Sequence, residues 1–155
     1  MSIAARVKWF LDVNRVPYEI VARSEPDSVQ GGGSQPVPPD KIARAVLLED
    51  ESGYLMPVLP AGRQLDLEKL RQDLARDLKP AASADAHSLF FDCQGEGIPA
   101  AGVAYGIQTI VDDELVGVGD IYFQGGDSQD LVHMESDTFF EVIAEGKHSH
   151  FSVAS

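Results

Sequence analysis

The chain has 155 residues, 44% hydrophobic and 24% charged, with 12 basic against 25 acidic side chains and a formal net charge of -13. This length suits one domain with a proper core, and no apolar run approaches the roughly 20 residues of a membrane helix. The acidity argues against broad contact with a DNA or RNA backbone, so a nucleic acid could be met only through one end entering a small pocket.

The N-terminal stretch MSIAARVKWFLDV mixes Arg6, Lys8 and Asp12 into its apolar pattern, and no small-residue cleavage site follows, so it does not read as a secretory signal. Ile3, Val7, Phe10 and Leu11 share one helical face, with Ser2 available as a cap. This predicts an amphipathic helix over residues 2–14, within an N-terminal segment 1–15 that Pro17 ends. Val16 to Ala22 reads as a strand. SEPDSVQGGGSQPVPP (24–39) is loop by composition, and its glycines predict the most mobile internal part of the chain. Ile42 to Leu48 and Tyr54 to Leu59, joined through Glu51-Ser52-Gly53, read as a hairpin, with Pro57 placing the second strand at an edge or a bulge.

Leu67, Leu70, Leu74 and Leu78 are spaced for a helix starting near Asp66, and a shorter helix is expected over Asp85 to Phe91. Strands follow at Thr109 to Val111, Asp120 to Gln124 and Leu131 to Met134. Ser136 or Asp137 caps a last helix over Phe139 to Ala144, ended by Gly146, and residues 146–155 remain as a frayed tail. Strands do not alternate regularly with crossover helices, so the expected fold class is α+β with a mixed sheet, one domain over residues 1–155.

Side-chain chemistry is sparse. His148 and His150 could join His87, His133 and Cys93 as metal ligands, but no pair has an established zinc spacing, and neither metal nor cofactor is expected. Asp112-Asp113-Glu114 reads more readily as a solvated turn than as a cation site. Asp92 beside Cys93 disfavours a thiolate nucleophile. The anomaly is QGEGIPAAGVAYGIQTIVDD (94–113), where four glycines and a proline lead into a buried strand. Glycine costs entropy when ordered, so it marks either turns or a backbone that something must approach closely.

PPDKIARAVLLEDESGYLMPVLPAGRQLDLEKL, then GEGIPAAGVAYGIQTIVDDEL, then DIYFQGGDSQDLVHMESDTFF together resemble the YbaK/EbsC family of aminoacyl-tRNA deacylases, relatives of the editing domain of bacterial prolyl-tRNA synthetase. The resemblance implies a strongly curved mixed sheet surrounded by helices, and hydrolysis of a mischarged amino acid from tRNA. It implies that the loop Gly95, Gly97, Ile98 and Pro99 holds the ester through its backbone, where a side chain would block approach. Gly125, Gly126 and Ser128 would line the opposite wall. The implied partner is the acceptor end of a mischarged tRNA, with an aminoacyl-tRNA synthetase as a second candidate and neither membrane nor DNA; the implied location is the cytoplasm, as the single cysteine also suggests.

The chain departs from the family where a lysine usually opens the first hairpin strand: it has Ile42-Ala43-Arg44, and Lys41 three residues earlier is expected on a different face. Arginine keeps the charge in a wider, planar fork, so the exchange is not neutral at a packed site. The family's alanine-rich short helix is replaced by VQGGGSQPV, and Ser128 stands where relatives often have histidine. Two readings follow: a trans-editing hydrolase in which Arg44 binds or orients the substrate, and a binding module that kept the fold, lost the chemistry and recognises an amino-acid-like ligand or a protein partner.

Overall fold

The computed structural model describes residues 4–22, 37–90, 93, 98–126 and 130–154. In chain order these form helix α1 (Ala5–Val13), strands β1 (Glu19–Ala22), β2 (Ala43–Ala45), β3 (Leu48–Asp50), β4 (Gly53–Pro60) and β5 (Arg63–Leu65), helix α2 (Leu67–Leu74), β6 (Lys79–Pro80), helix α3 (Ser83–Leu89), β7 (Gln108–Asp112), β8 (Asp120–Gln124), β9 (Asp130–Glu135), helix α4 (Ser136–Val142), β10 (His148–Ser149) and β11 (Ser152–Ala154). The Ser2 cap and the glycine-rich segment predicted to be most mobile lie outside the described residues. No helix among the described residues is long and apolar enough to cross a membrane.

The predicted hairpin organises the fold, but its second strand is central rather than at an edge. β4 pairs antiparallel with β2 and β3 and parallel with β7, which in turn pairs parallel with β10. β2 and β3 share one register against β4, from Ala43 opposite Pro60 to Asp50 opposite Gly53. The ladder lapses only at Val46–Leu47, where the Val46 amide donates to the Pro57 carbonyl at 3.0 Å. Proline has no N–H to return that bond, so Pro57 interrupts the partner strand without leaving the sheet's centre.

A second, antiparallel sheet has the order β1-β9-β8, and a parallel bridge between Ile42 and Tyr122 lays β2 alongside β8. The period-2 alternation of strands then sorts the side chains. Ala43, Met56, Val58, Val111, Ile121, Phe123, Val132 and Met134 enter one large cluster, covered by Val7 and Leu11 of α1 and Phe139 of α4. Leu48, Leu55, Leu59 and Ile110 enter a smaller cluster on the other face with Leu70, Leu78 and Phe151.

Helix α2 starts where predicted, because the Asp66 carboxylate accepts the Lys69 amide at 3.1 Å. It ends sooner: Ala75 takes a left-handed conformation, and Leu78 reaches the core from the following loop. Helix α3 begins and ends two residues before its predicted range. Helix α4 begins at Ser136 with no side-chain cap; the Ser136 hydroxyl instead accepts the Gly119 amide at 3.3 Å.

Residues 146–154 correct the expectation of a frayed tail over 146–155. β10 extends the main sheet, β11 pairs with β5, and Phe151 between them is fully buried, a burial worth about 2 to 3 kcal/mol. Asp112 is the reason. It is no solvated turn residue: its carboxylate is fully buried and accepts the Phe151 and Ser152 amides at 2.8 and 3.1 Å and the Ser152 hydroxyl at 2.7 Å. Asp113 and Glu114 are exposed as expected.

Candidate ester-binding site

Strand β8 carries Ile121 and Phe123 into the large cluster and runs directly into Gly125-Gly126, both buried. The Gly125 carbonyl accepts the Ala4 amide at 2.7 Å, which seats the start of α1 on this turn. Gly126 has φ +100°, and a Cβ there would lie 2.7 Å from the Ala4 Cβ and 3.0 Å from the Cys93 sulfur. Glycine is needed twice over at this position, for its conformation and for its lack of volume.

Cys93 connects Gly126 to the 3₁₀ turn at Gly102–Tyr105. Its sulfur lies 3.4 Å from the Tyr105 hydroxyl, and Tyr105 meets Phe90 edge-on at 4.8 Å between ring centroids. Arg6 of α1 donates through Nε to the Ala104 carbonyl at 2.8 Å, with its guanidinium 5.8 Å from the centre of the Tyr105 ring. Gly95, Gly97 and Ser128 lie outside the described residues. Downstream of the two glycines, Ile98 is half-buried against the large cluster and Pro99, Ala100 and Ala101 are buried. The chain then makes a 3₁₀ turn at Gly102–Tyr105. A Cβ on Gly102 would stand 2.6 Å from the Thr109 hydroxyl and 3.0 Å from the Met56 sulfur, so here too backbone packs where a side chain would not fit.

Arg44 is placed differently. Ala43 and Ala45 face the large cluster, which holds Ala100 and Ala101, so strand alternation turns Arg44 to the opposite face of the sheet. Its Nη2 donates to the Arg63 carbonyl at 2.9 Å in an exposed setting. Arg63 in turn donates through Nε to the Ser152 hydroxyl at 2.7 Å and through Nη2 to the Ser152 carbonyl at 3.0 Å. A cleft of about 400 Å³ lined by Pro39, Asp40, Pro60, Gly62, Arg63 and Glu114 opens beside this anchor. Lys41 ends the preceding 3₁₀ turn, where its charge helps to hold Asp120 below the ordinary carboxylate range, a shift that comes first from the His133 hydrogen bond. No group of three or more His, Cys, Asp or Glu among the described residues is placed to hold a metal.

The sequence pointed to the two glycines after β8 and to the proline loop, but missed that Cys93 and Ala4 close the space over Gly126. Neither residue carries a motif signal; only tertiary packing brings them there.

The sequence model of the family described as aminoacyl-tRNA editing domain matches residues 28–141, well over half of the chain. No curated protein sequence matches. Among solved structures, the fold is similar to that of a protein assigned to signal transduction from Marinobacter aquaeolei VT8, with a TM-score of 0.79 and 24% identity over 98% of this chain. This chain spans only 31% of that longer one. It is also similar to a protein assigned as a trans-editing enzyme for prolyl-tRNA synthetase, with a TM-score of 0.75 and 16% identity over 96% of each chain. The α+β fold with its mixed sheet is thus of the trans-editing type, and the chain belongs to the aminoacyl-tRNA editing domain family.

Proposed function

We propose that residues 1–155 act as a single editing domain of the YbaK type, a cytoplasmic trans-editing hydrolase that cleaves the ester of a mischarged aminoacyl-tRNA. The supporting observation is the junction at Gly126, where the residue leading into the ester loop, Cys93, and the start of α1 meet a wall that has no room for a side chain. In this proposal the glycines of the Gly95–Pro99 sequence, which offer no side-chain catalyst, serve the ester through backbone N–H groups, and the described end of that stretch, Pro99, is buried. Water attacks the carbonyl, the N–H donors stabilise the oxyanion, and the acyl C–O bond breaks so that the ribose oxygen leaves as a hydroxyl with a proton from the water and the amino acid is freed as its carboxylate. On this reading Ile98, Gly125 and Ser128 would line the pocket. Arg44 steers the acceptor end from the sheet's other face, and an aminoacyl-tRNA synthetase is the partner that would deliver it.

The test is a deacylation panel, in which purified protein is offered several mischarged tRNAs and release of each amino acid is followed. Release above the uncatalysed rate from at least one supports the hydrolase. No release from any member leaves the second reading, a module that has lost the chemistry. That reading is favoured by the bond from Arg44 to the Arg63 carbonyl, which commits the guanidinium away from Ala100 and Ala101. The cleft beside it offers a cation, Arg63, and two carboxylates, Asp40 and Glu114, a set complementary to a free amino acid.

A further inference from the structure

Helix α1 starts on the glycine wall and carries the chain's single tryptophan out into solvent. Val7 and Leu11 are turned into the core, so Trp9 and Val13, one turn apart, stand on the outer face at 60% and 58% exposure. In a chain of net charge -13, residues 4–16 hold Arg6, Lys8 and Arg15 against one acid, Asp12. An exposed indole on a helix that carries more bases than acids is a surface on which a nucleobase can stack while its phosphates find positive charge. Trp9 lies five residues beyond Ala4, about 7.5 Å along the helix, or about two base steps of a stacked strand.

We propose that the outer face of α1 docks the single-stranded 3′ end of the RNA, with Trp9 stacking on a base next to the terminal adenosine. The proposal rests on the reading of the chain as an aminoacyl-tRNA editing protein and adds the surface by which it holds its substrate. Arg6, bonded to the Ala104 carbonyl and set over Tyr105, fixes the helix to the 3₁₀ turn at Gly102–Tyr105, which follows Pro99 closely in the chain. Lys8 is already paired with Asp12 at 2.6 Å, which leaves few charges for phosphates and makes the salt dependence of binding shallow. The same face could instead bind a second copy of the chain, and the cationic flank favours RNA.

Because the protein has one tryptophan, its intrinsic fluorescence reads this surface directly. The experiment titrates the protein with an uncharged RNA hairpin ending in single-stranded CCA and with the same hairpin lacking that end. The expected result is quenching by the first and little by the second. In an anisotropy assay with labelled CCA hairpin, Trp9→Ala should bind about fivefold or more weakly and Trp9→Phe should recover part of the loss. The RNA carries no ester, so binding is scored independently of hydrolysis: quenching without deacylation supports this proposal while removing the catalytic one. Equal response to both hairpins, no response, or wild-type affinity of Trp9→Ala would overturn it. A concentration-dependent spectral shift without RNA, with dimer in sedimentation, would assign the face to a second copy.

Discussion

The Ser152 hydroxyl donates to the Asp112 carboxylate at 2.7 Å, and neither side chain reaches solvent. Together with the amides of Phe151 and Ser152, this makes one carboxylate the anchor for the whole C-terminal segment. Asp112→Asn puts an amide donor among groups that themselves donate, and is expected to cost about 2 to 4 kcal/mol. Ser152→Ala removes one bond and is expected to cost about 1 kcal/mol. Urea unfolding at neutral pH measures both, and a loss under about 0.5 kcal/mol for Asp112→Asn would contradict the anchor.

His133 sits between two carboxylates, with Nδ1 2.6 Å from Glu19 and Nε2 2.9 Å from Asp120, its ring stacked on Tyr122 at 4.5 Å. A neutral imidazole donates from one nitrogen only, so the protonated ring alone satisfies both contacts. Burial opposes that charge, but the bonds to Asp120 and Glu19 outweigh it and raise the His133 pKa, while the His133 bond is the main cause lowering that of Asp120. A raised histidine contributes stability below about pH 6.5 that is lost as pH rises through its folded value, and a depressed aspartate contributes above about pH 4. The cluster should therefore hold β1 best between these limits. His133→Gln should flatten the fall in melting temperature between pH 6 and pH 8, and an unchanged pH profile would remove the histidine from it.

Gly126→Ala adds a methyl group where Ala4 and Cys93 leave no room and where φ is +100°. The expected destabilisation is about 1 to 3 kcal/mol, since left-handed strain and overpacking act together. If the proposed function holds, deacylation should fall further than stability alone explains, because Cys93 adjoins in sequence the Gly95–Pro99 stretch proposed to hold the ester. Comparing turnover at a temperature where both proteins are folded separates the two effects.

Arg44→Ala removes one exposed bond to the Arg63 carbonyl and should change stability by less than about 0.5 kcal/mol. A phosphate is a stronger acceptor for a guanidinium than that carbonyl, so substrate can draw the side chain off its anchor. On this account Arg44→Ala lowers kcat/KM about tenfold or more, and Arg44→Lys keeps or raises activity. Hydrolysis that survives Arg44→Ala unchanged would take Arg44 out of the site and leave the backbone loop alone.

The local elements were legible in the sequence because their causes are local. Leucine spacing and the Asp66 cap placed α2, alternation placed β8 and β9, and a turn at Glu51-Ser52 closed the hairpin between β3 and β4. The family and its α+β fold were also legible, since an ordered series of motifs survives the loss of single members. What tertiary structure alone decided concerns partners far apart in the chain. Pro57 reads as an edge signal, yet it sits in the central strand because only one of its two ladder bonds is missing. Residues 146–155 read as a frayed tail, yet Asp112, some 40 residues before Phe151 and Ser152, accepts the amides of both, and Phe151 is buried. The face presented by Arg44 depends on which side of β2 Ala100 and Ala101 pack against, and Gly126 needs its glycine because Ala4 and Cys93 close over it. Sequence pattern records a residue's own preferences; the space left by its distant neighbours is fixed only when the chain closes.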